Sequence, residues 1–496
     1  MLCGRGLARP RPVDGLFTSV HQTKSSFFLD MMSDNALDKD TIAAVATPMG
    51  MAGIGIVRLS GPRSREIAEK IFVAQNPVED FQRHRLYLGH LIDPSSEKPI
   101  DEVLLAYMKA PNSYTREDII EINAHSGYQV LSRILQIVID QGARLARPGE
   151  FTFRAFMNGR IDLTQAEAIV DLINAKSERG LELASHQIKG GFKKAIEALR
   201  QKAVEIISHT EVAIDFPEEE TEILSREKAG NWIEKDLIGP IEKIMTAHAQ
   251  RRIWIEGINT VIIGRVNAGK SSLLNRLLNE QRAIVTPVPG TTRDVIESNL
   301  NIEGIPLKLI DTAGFREVAD EVEKIGLKLA EEKLNEADLI LAVIDRSRPL
   351  NQDDRDIAAR LRQKRSLVIL NKIDLPSKLD EKELEPELLG IPIVRISALT
   401  GEGIDDLRLA IQHLVTDDGD LDTTYSQLAP NMRHQKALET GNEFFKKAAE
   451  NVREGLPLEI IALDLGSGLA ALGKIIGETT HEEIFDKIFS EFCLGK

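Results

Sequence analysis

The sequence predicts a multidomain protein that combines an α+β domain, a helical domain and an α/β domain. Short apolar runs broken by glycine and proline extend from Thr41 to about Glu150. A stretch rich in alanine, glutamate and lysine follows to about Arg252, with apolar residues three and four apart. Strands then alternate with helical segments from Asn259 to about Leu414, as in a parallel sheet built from βαβ units.

Composition is typical of a folded globular protein. The chain has 496 residues, of which 42% are hydrophobic and 28% charged, so a mainly disordered or collagen-like chain is excluded. No apolar run approaches the roughly 18–20 residues of a membrane helix, and we expect no membrane contact. The two cysteines, Cys3 and Cys493, exclude a disulfide framework and favour a reducing compartment. The net charge of −15 argues against non-specific coating of nucleic acid, but a local basic site for one structured RNA stays open.

Residues 1–38 are predicted to be a disordered extension or a targeting segment. Their basic residues are accompanied by Asp14 and Asp30, which matches a transit peptide only in part. The simpler interpretation is a start at Met31 or Met32. We therefore expect a cytoplasmic protein, with a mitochondrial location as the alternative if residues 1–31 are a transit peptide.

The N-terminal α+β domain is assigned to residues 39–156. Five runs in it predict strands: TIAAVATP, GIGIVRLSG, RLYLGHLI, VLLAYMKAP and DIIEINAH. A helical pattern from Tyr128 to Gly142 interrupts them. Long helices are expected in residues 157–255 and again in residues 417–496, the two parts of a helical domain.

The α/β domain is assigned to residues 256–416. Its predicted strands are TVIIG, LKLID, LILAVID, SLVILN and IPIVRIS. Because neither helical part has an obvious partner of its own, the α/β domain is predicted to be inserted into the helical domain.

A phosphate-binding pattern opens the α/β domain. Gly264–Ser271 (GRVNAGKS) fits G-x-x-x-x-G-K-[ST] between the run TVIIG and the helical SSLLNRLL. In this placement main-chain N–H groups and a helix N-terminus face the phosphates, and Lys270 reaches the β and γ oxygens. Ser271 is the expected Mg²⁺ ligand.

Four further motifs specify GTP. The carboxylate of Asp311–Gly314 (DTAG) can hold Mg²⁺ through water, and Thr292 suits a switch threonine on Mg²⁺. The carboxylate of Asn371–Asp374 (NKID) can accept from guanine N1–H and the 2-amino group, and the main chain of Ser397–Leu399 (SAL) can donate to guanine O6. The predicted GTP-binding residues are Asn267, Ala268, Gly269, Lys270, Ser271, Ser272, Thr286, Thr291, Thr292, Asp311, Thr312, Ala313, Gly314, Asn371, Lys372, Asp374, Ser397, Ala398 and Leu399.

The hydrolytic machinery differs from that of Ras-type GTPases. Phe315 follows DTAG where those enzymes carry a water-orienting glutamine, so another group must orient the water. The carbonyl oxygens of Thr286–Gly290 (TPVPG), together with Asn267, could bind a monovalent cation in place of an arginine finger. Four acids downstream of DTAG are candidates for orienting water: Glu317, Asp320, Glu321 and Glu323.

Segments outside these motifs carry a family resemblance. They are DTIAAVATP, GIGIVRLSGP, PNSYTREDIIEINAHSG, ARPGEFTFRAFMNGRIDLTQAEAIVDLI, IDFPEE from Ile214, Asn431–His434 (NMRH) and Phe492–Lys496 (FCLGK). With them the chain resembles, over nearly its whole length, the tRNA modification GTPase MnmE family, also called TrmE. The last segment is the most specific, because a general GTPase has no reason to end in Cys-x-Gly-Lys.

The resemblance implies a homodimer formed through N-terminal domains with a folate-binding fold, and a helical domain that carries an inserted Ras-like G domain. It implies a heterotetramer with the FAD-dependent protein MnmG that adds a carboxymethylaminomethyl or aminomethyl group to C5 of the wobble uridine, position 34, of certain tRNAs. The one-carbon unit would come from a 5-formyl- or 5,10-methylene-type tetrahydrofolate derivative. K⁺ is implied to pair the G domains and to activate hydrolysis without an external activating protein.

The resemblance also implies residue roles. Glu323 matches the glutamate that positions water, and it is predicted to be catalytic together with Lys270 of the phosphate loop. Cys493 lies beside the expected folate site, where a nucleophile and an inert buried thiol are both open interpretations. Ser271 and Thr292 match the Mg²⁺ ligands. K⁺ positions are matched by Asn267, Thr286, Val288 (through its carbonyl) and Thr291, and folate positions by Arg58, Glu121, Arg160 and Lys496.

Three positions depart from the family pattern. Met51-Ala52-Gly53 stands where Arg-Gly-Gly is usual, so a basic contribution to the folate site is missing. Val266 replaces a proline of the phosphate loop, and Arg160 stands where lysine is also common.

Two alternative functions would use the same nucleotide motifs. One is a ribosome-assembly or signalling GTPase that acts only as a binding switch, although such proteins usually carry an RNA-binding module in place of this N-terminal domain. The other is a folate-dependent one-carbon transferase whose G domain only regulates it, in which case Lys270→Ala should leave modification largely intact.

Overall fold

A computed structural model describes residues 40–50, 52–216, 225–282, 298–309, 334–362, 364–380, 388, 390–416, 425, 427–478, 482–490, 492, 495 and 496. The described residues fall into two compact units. The first is drawn from the segments Met1–Thr47, Met51–Asn158 and Thr480–Lys496, and the second from Pro48–Gly50 and Gly159–Thr479.

A mixed sheet is the centre of the first unit. Its described strands are β1 (Ile42–Val45), β2 (Ala52–Ser60), β3 (Phe72–Ala74), β4 (Arg85–Asp93), β5 (Lys98–Met108), β6 (Ile119–Ser126) and β7 (Arg144–Leu145). Their order is β3-β4-β5-β6-β2-β1-β7, and all neighbours are antiparallel except β1 and β7. The five strands predicted from apolar runs are confirmed as β1, β2, β4, β5 and β6.

Helices pack on both faces of this sheet. Two of them, α1 (Ser64–Ile71) and α2 (Tyr128–Asp140), cover one face, and α3 (Glu150–Met157) packs through Phe151 against Ile42 and Ala44 of β1 on the other. Ile71 from α1 and Leu131 and Ile134 from α2 are fully buried in the core that these helices form with the strands. The helical pattern read from Tyr128 is therefore confirmed.

The C-terminal helix, Glu482–Ser490, belongs to the first unit. Its Phe489 packs edge-on against Phe153 of α3, with the two ring centroids 5.1 Å apart. This grouping differs from the predicted boundary, which placed residues 417–496 together in the helical domain. Helical periodicity shows that a face is apolar, but it does not show which partner the aromatic rings will find.

The described helices of the second unit are α4 (Leu163–Asn174), α5 (Glu178–Ile188), α6 (Gly191–Asp215), α7 (Arg226–Trp232), α8 (Gly239–Thr246), α9 (His248–Arg251), α10 (Lys270–Arg282), α11 (Gln352–Leu361), α12 (Ile404–Thr416), α13 (Met432–Glu454) and α14 (Leu458–Ile476). Two π-helical turns, Ile233–Ile238 and Arg252–Glu256, follow α7 and α9. Within the described parts of the chain, no helix is both long and apolar enough to cross a membrane.

The expectation of long helices before residue 256 is correct only for α6, which has 25 residues. The two helices before it, α4 and α5, are shorter because a polar side chain caps the start of each and so divides the segment into separate helices. Asp162 accepts from main-chain N–H groups at the start of α4, and Ser177 does the same for α5.

Helices from before and after the α/β segment share one apolar core. Phe192 and Ile196 of α6, Ile241 of α8, Phe445 of α13 and Leu472 of α14 are fully buried in it. Each helix presents one apolar side, so the two halves of this core bury each other.

A buried charged cluster joins α4 to the N-terminus of α13. The guanidinium of Arg433 donates to both carboxylate oxygens of Glu167 at 2.8 Å, and His434 Nε2 lies 2.7 Å from Glu167 Oε2. Arg251 of α9 pairs with Asp171 of α4 at 2.5 Å. Two segments of the family resemblance, RIDLTQAEAIVDLI and NMRH, therefore meet in the folded chain.

The α/β part of the second unit contains a six-stranded sheet. Its strands are β8 (Ile258–Ile263), β9 (Ser298–Ile302), β10 (Ile305–Leu309), β11 (Leu339–Asp345), β12 (Ser366–Asn371) and β13 (Ile393–Ile396), in the order β13-β12-β11-β8-β10-β9. The five predicted strands are β8, β10, β11, β12 and β13, and they run parallel to one another. The remaining strand, β9, is antiparallel to β10. The expectation of a parallel sheet is thus corrected at this edge, because Glu303 and Gly304, with φ of 48° and 83°, form a two-residue hairpin turn.

Helices cover both faces of this sheet. Side chains of β11 alternate between the two, with Leu341 in the core beside Leu273 of α10 and Ile340 in the core beside Leu361 of α11. A parallel sheet requires such burial on both faces. The loops that follow the strands therefore lie at the carboxyl-terminal edge of the sheet.

Candidate functional site

Three loops lie at the edge of the α/β sheet where β8, β12 and β13 end. They are Gly264–Lys270, Asn371–Asp374 and Ser397–Leu399. Because β8, β11, β12 and β13 are mutually parallel, their carboxyl ends share this edge, which is where open α/β sheets bind ligands. The structure therefore brings together three of the motifs predicted to bind GTP.

The phosphate loop is closely packed. Lys270 begins α10, and its Nζ donates to the carbonyl oxygens of Gly264 at 2.7 Å and Arg265 at 3.0 Å. Gly269 has φ of 101°, and a Cβ there would lie 2.0 Å from Asn371 Nδ2, so only glycine fits. Burial lowers the pKa of Lys270 below its ordinary value. A phosphate at this loop would meet the ammonium group, the main-chain N–H groups and the start of α10.

Asn371 ties the three loops together. Its Nδ2 donates to the carbonyl oxygen of Ala268 at 2.9 Å, and its Oδ1 accepts from Ala398 N at 3.0 Å. The side chain is buried and uses both ends of its amide. One residue therefore sets the distance between the phosphate loop and the loop after β13.

The two loops predicted to contact the base are held by specific bonds. Ser397 Oγ donates to Asp374 Oδ1 at 2.6 Å, which fixes the direction of that carboxylate. Arg276 of α10 donates to the carbonyl oxygen of Ala398 at 3.3 Å and also to that of Leu399. With these carbonyls turned toward Arg276, the exposed turn at Leu399 is held in place by Arg276.

Lys372 connects the base-binding loop to the phosphate loop. Its Nζ donates to the carbonyl oxygen of Asn267 at 2.8 Å and to Asp345 Oδ2 at 2.7 Å. Both Lys372 and Asn267 are non-glycine residues in the left-handed region, with φ of 68° and 62°. Sequence reasoning missed Asp345, whose only signal is a carboxylate at the end of the apolar run LILAVID. It also missed Arg276, which lies within an ordinary helical pattern.

Two residues predicted to bind metal ions lie in the described part of the chain, and their roles stay predictions. Ser271 is exposed in the first turn of α10, where a hydroxyl ligand of Mg²⁺ is expected. Asn267, predicted to bind K⁺, is exposed on the phosphate loop. Among the described residues no group of three or more His, Cys, Asp or Glu could hold a metal.

Several predicted residues lie outside the described part of the chain, and their roles stay predictions. They are Thr286, Val288, Thr291, Thr292, Asp311, Thr312, Ala313, Gly314, Glu323 and Cys493, together with the three other acids considered for water, Glu317, Asp320 and Glu321.

A second candidate site lies in the first unit. Arg58 and Glu121 face each other across β2 and β6, and Arg58 Nε donates to Glu121 Oε1 at 2.8 Å. Arg58 also donates to the carbonyl oxygen of Gly495 at 3.0 Å. The structure thus brings two predicted folate residues next to the residue that precedes Lys496. Arg160, the remaining residue predicted to bind folate, belongs to the second unit.

The chain is similar to known proteins over most of its length. A family model described as GTP-binding protein TrmE N-terminus matches residues 41–160, and one described as MnmE helical domain matches residues 163–493. The tRNA modification GTPase MnmE of Geobacillus kaustophilus (strain HTA426) is 46% identical over 464 residues, which is 92% of this chain and 99% of that relative. Its counterpart in Alkaliphilus oremlandii (strain OhILAs) is 45% identical over 459 residues, with coverages of 92% and 99%. That of Staphylococcus aureus (strain Newman) is 41% identical over 466 residues, with coverages of 93% and 100%.

Proposed function

Because the chain belongs to the tRNA modification GTPase MnmE family, we propose that it is a potassium-activated GTPase that modifies the wobble uridine of certain tRNAs together with MnmG. It hydrolyses GTP in tRNA modification, as its family does. The proposal adds the chemistry: a carboxymethylaminomethyl or aminomethyl group is placed on C5 of uridine 34, and the one-carbon unit comes from a tetrahydrofolate derivative.

The observation that supports the nucleotide half of this proposal is the meeting of three loops on Asn371. Its contacts with Ala268 and Ala398 place the phosphate loop and the guanine-binding loops at a set separation. Asp374, oriented by Ser397, offers a carboxylate to the N1–H and 2-amino groups that distinguish guanine from adenine.

In the proposed hydrolysis, Lys270 stabilises negative charge on the β and γ oxygens of the phosphates. Ser271 and Thr292 hold Mg²⁺, and Glu323 orients the attacking water. Asn267, Thr286, Val288 and Thr291 hold K⁺, which supplies positive charge where other GTPases use an arginine finger.

The folate proposal rests on the cluster at the C-terminus of the first unit. Arg58, Glu121, Arg160 and Lys496 are proposed to bind the tetrahydrofolate derivative, and Cys493 is proposed as a candidate nucleophile. The Arg58 and Glu121 side chains are each about a fifth exposed, at 22%, so a ligand can reach both. Cationic groups suit the glutamyl carboxylate of folate, and Glu121 suits the donor edge of the pterin.

The quaternary proposal is a homodimer through the first unit that binds MnmG as a heterotetramer, with the α/β part of the second unit as an insertion in the helical domain. Exposed leucines support the dimer. Leu88 and Leu104 are directly paired across β4 and β5 on the sheet face opposite α1 and α2, and Leu86 lies beside them, with exposures of 41%, 39% and 59%. An apolar sheet face of this kind is a typical protein contact surface.

Potassium activation can be tested on the purified full chain by measuring GTP turnover in KCl and in NaCl at equal ionic strength. We expect turnover at least about tenfold faster in KCl, because a transition-state contact worth about 1.4 kcal/mol changes a rate tenfold. Asn267→Ala should lose this difference. Val266→Ala, a matched change at the exposed neighbouring residue, should keep it. Equal rates of the unmodified chain in the two salts would contradict the proposal.

A further inference from the structure

Asp345 is a buried carboxylate at the nucleotide edge of the sheet that none of the proposed roles uses. It ends β11, the strand between β8 and β12, and it is 1% exposed. Its Cα lies opposite that of Asn371 in the parallel register of β11 and β12. A carboxylate withdrawn from water at this position needs partners, because burial of an unpaired charge is strongly unfavourable.

Its partners occupy both carboxylate oxygens. Oδ1 accepts from Ser347 N at 2.9 Å and from Ser347 Oγ at 2.6 Å, and Oδ2 accepts from Lys372 Nζ at 2.7 Å. Burial alone would raise the pKa of Asp345, but the bonds from Lys372 and Ser347 outweigh it and lower that pKa. Asp345 is therefore ionised, satisfied and turned away from solvent, so it is not itself a ligand of Mg²⁺ or of the nucleotide.

The Lys372 ammonium links the carboxylate of Asp345 to the phosphate loop. It donates to Asp345 on one side and to the carbonyl oxygen of Asn267 on the other. Asn267 and Lys372 both have positive φ, and such conformations persist only where surrounding contacts over-determine them. The chain of contacts runs from the end of β11, through Lys372, to the phosphate loop.

We propose that Asp345 is a positioning residue for guanine-nucleotide binding, which acts by holding Lys372 against the main-chain carbonyl of Asn267. In this position Lys372 fixes the phosphate loop to the NKID loop before nucleotide arrives, so less free energy is lost in ordering the site on binding. The inference rests on the proposed guanine-nucleotide site. A carboxylate does this better than an amide, because hydrogen bonds between charged partners are the stronger ones.

The test measures the dissociation constant for a fluorescent GDP analogue with the full chain and with Asp345→Asn, a change of the same shape. We expect binding weaker by about tenfold in the variant. Asp356→Asn removes an exposed carboxylate from α11 of the same α/β part, and it should bind the analogue as the unmodified chain does. Asp345→Asn binding that equals that of the unmodified chain would overturn the inference.

Two further variants separate positioning from a purely structural role. If Asp345 acts through Lys372, then Asp345→Asn should have no further effect on affinity in a Lys372→Met background, and the double-mutant cycle should be strongly non-additive. If Asp345 serves only to cap the turn that follows β11, Ser347→Ala should weaken GDP binding as much as Asp345→Asn does. Additive losses, or an equal loss in Ser347→Ala, would overturn the inference.

Two additions keep the test decisive. Asp345→Glu retains the charge but displaces it by one methylene, so it should also weaken GDP binding. This variant replaces Asp345→Asn in the test if Asp345→Asn does not fold. Unchanged affinity in a folded Asp345→Glu protein would overturn the inference. Asp374→Asn distinguishes the two levels of the account. If it loses GDP while Asp345→Asn does not, the positioning role fails and the nucleotide site stands. If both variants bind GDP normally, both fail.

Discussion

At the scale of single residues, the nucleotide site depends on side chains that hydrogen-bond to one another and to the main chain of neighbouring loops. Asn371 uses both ends of its amide, Lys372 bridges the Asp345 carboxylate and the main chain of Asn267, and Ser397 orients Asp374. Because these contacts hold the side chains in one arrangement, a change in one of them should alter nucleotide affinity directly.

Asp374→Asn should exchange the base preference of the site. Xanthine carries a C2 carbonyl where guanine carries an amino group, so an amide that can donate suits xanthine and no longer suits guanine. We expect GTP affinity to fall by at least about tenfold, which corresponds to 1.4 kcal/mol, and XTP affinity to rise. Competition of GTP and XTP against a fluorescent nucleotide measures both. Asp353→Asn, an exposed change on α11, is the control, and an unchanged preference in Asp374→Asn would remove Asp374 from the base site.

At the scale of secondary-structure elements, the charged cluster between α4 and α13 explains two segments whose residues are not part of the nucleotide site. Arg433 donates to Glu167 of α4 and also to the carbonyl oxygens of Lys474 and Ile475 at the end of α14. One side chain therefore fastens three helices. Removal of either partner of such a buried pair leaves a charge without compensation, which is strongly destabilising.

This cluster should make the chain less stable in mild acid. Burial lowers the pKa of His434 to about 4 despite the nearby Glu167, whose carboxylate is paired with the guanidinium of Arg433. In the folded chain His434 thus stays neutral as the pH falls, whereas the unfolded chain binds a proton below about pH 6.5. Its contribution to stability is complete above that pH and is lost between about pH 6.5 and 4.

We expect the free energy of unfolding to fall by about 2 kcal/mol between pH 7 and pH 5. It falls by about 1.36 kcal/mol for each pH unit below the pKa of the histidine in the unfolded chain. Urea unfolding at the two pH values measures it. In His434→Gln the decline should be smaller by that amount, even though the variant is less stable overall because the ring of His434 packs 4.7 Å from that of Phe192. The exposed His413→Gln should keep the full decline. An identical decline in His434→Gln and the unmodified chain would contradict this account.

The exposed leucines of the first unit predict the dimer contact. Leu88→Glu places a charge in the centre of the apolar sheet face, next to Leu104, and we expect the chain to become monomeric at concentrations where the unmodified chain is a dimer. Sedimentation velocity measures the difference. Leu409→Glu makes the same change at a leucine of α12 that is 48% exposed, and it should leave the mass unchanged. A dimer that persists in Leu88→Glu places the contact elsewhere.

At the scale of the whole molecule, local patterns predicted the elements better than their partners. Apolar runs such as RLYLGHLI predicted strands that the structure contains, because alternate residues of β4 are buried in the core. The edge strand β9, with the sequence SNLNI, was missed because its polar residues resemble a loop. The attachment of the C-terminal helix to the first unit depends on packing of Phe489 against Phe153, more than 300 residues apart in the chain, which no local pattern contains.

The candidate site shows the same division. The GKS, NKID and SAL motifs indicated the residues at the sheet edge, because their chemistry is local to each loop. Asp345 was not found, because its role depends on the distance to Lys372 across two strands. The residues proposed for Mg²⁺, K⁺ and water activation from Thr286 to Glu323 lie outside the described part of the chain and remain predictions.

The central claim is that GTP hydrolysis by this chain is required for modification of the wobble uridine. Nucleoside mass spectrometry of bulk tRNA tests it most directly, on cells that lack the chain and carry either the unmodified chain or Lys270→Ala. The account predicts that carboxymethylaminomethyl- or aminomethyl-uridine is present with the unmodified chain and is lost without it and with Lys270→Ala. A nucleoside profile that is the same in cells with and without the chain would contradict the account, and normal modification with Lys270→Ala would show that the G domain only regulates it.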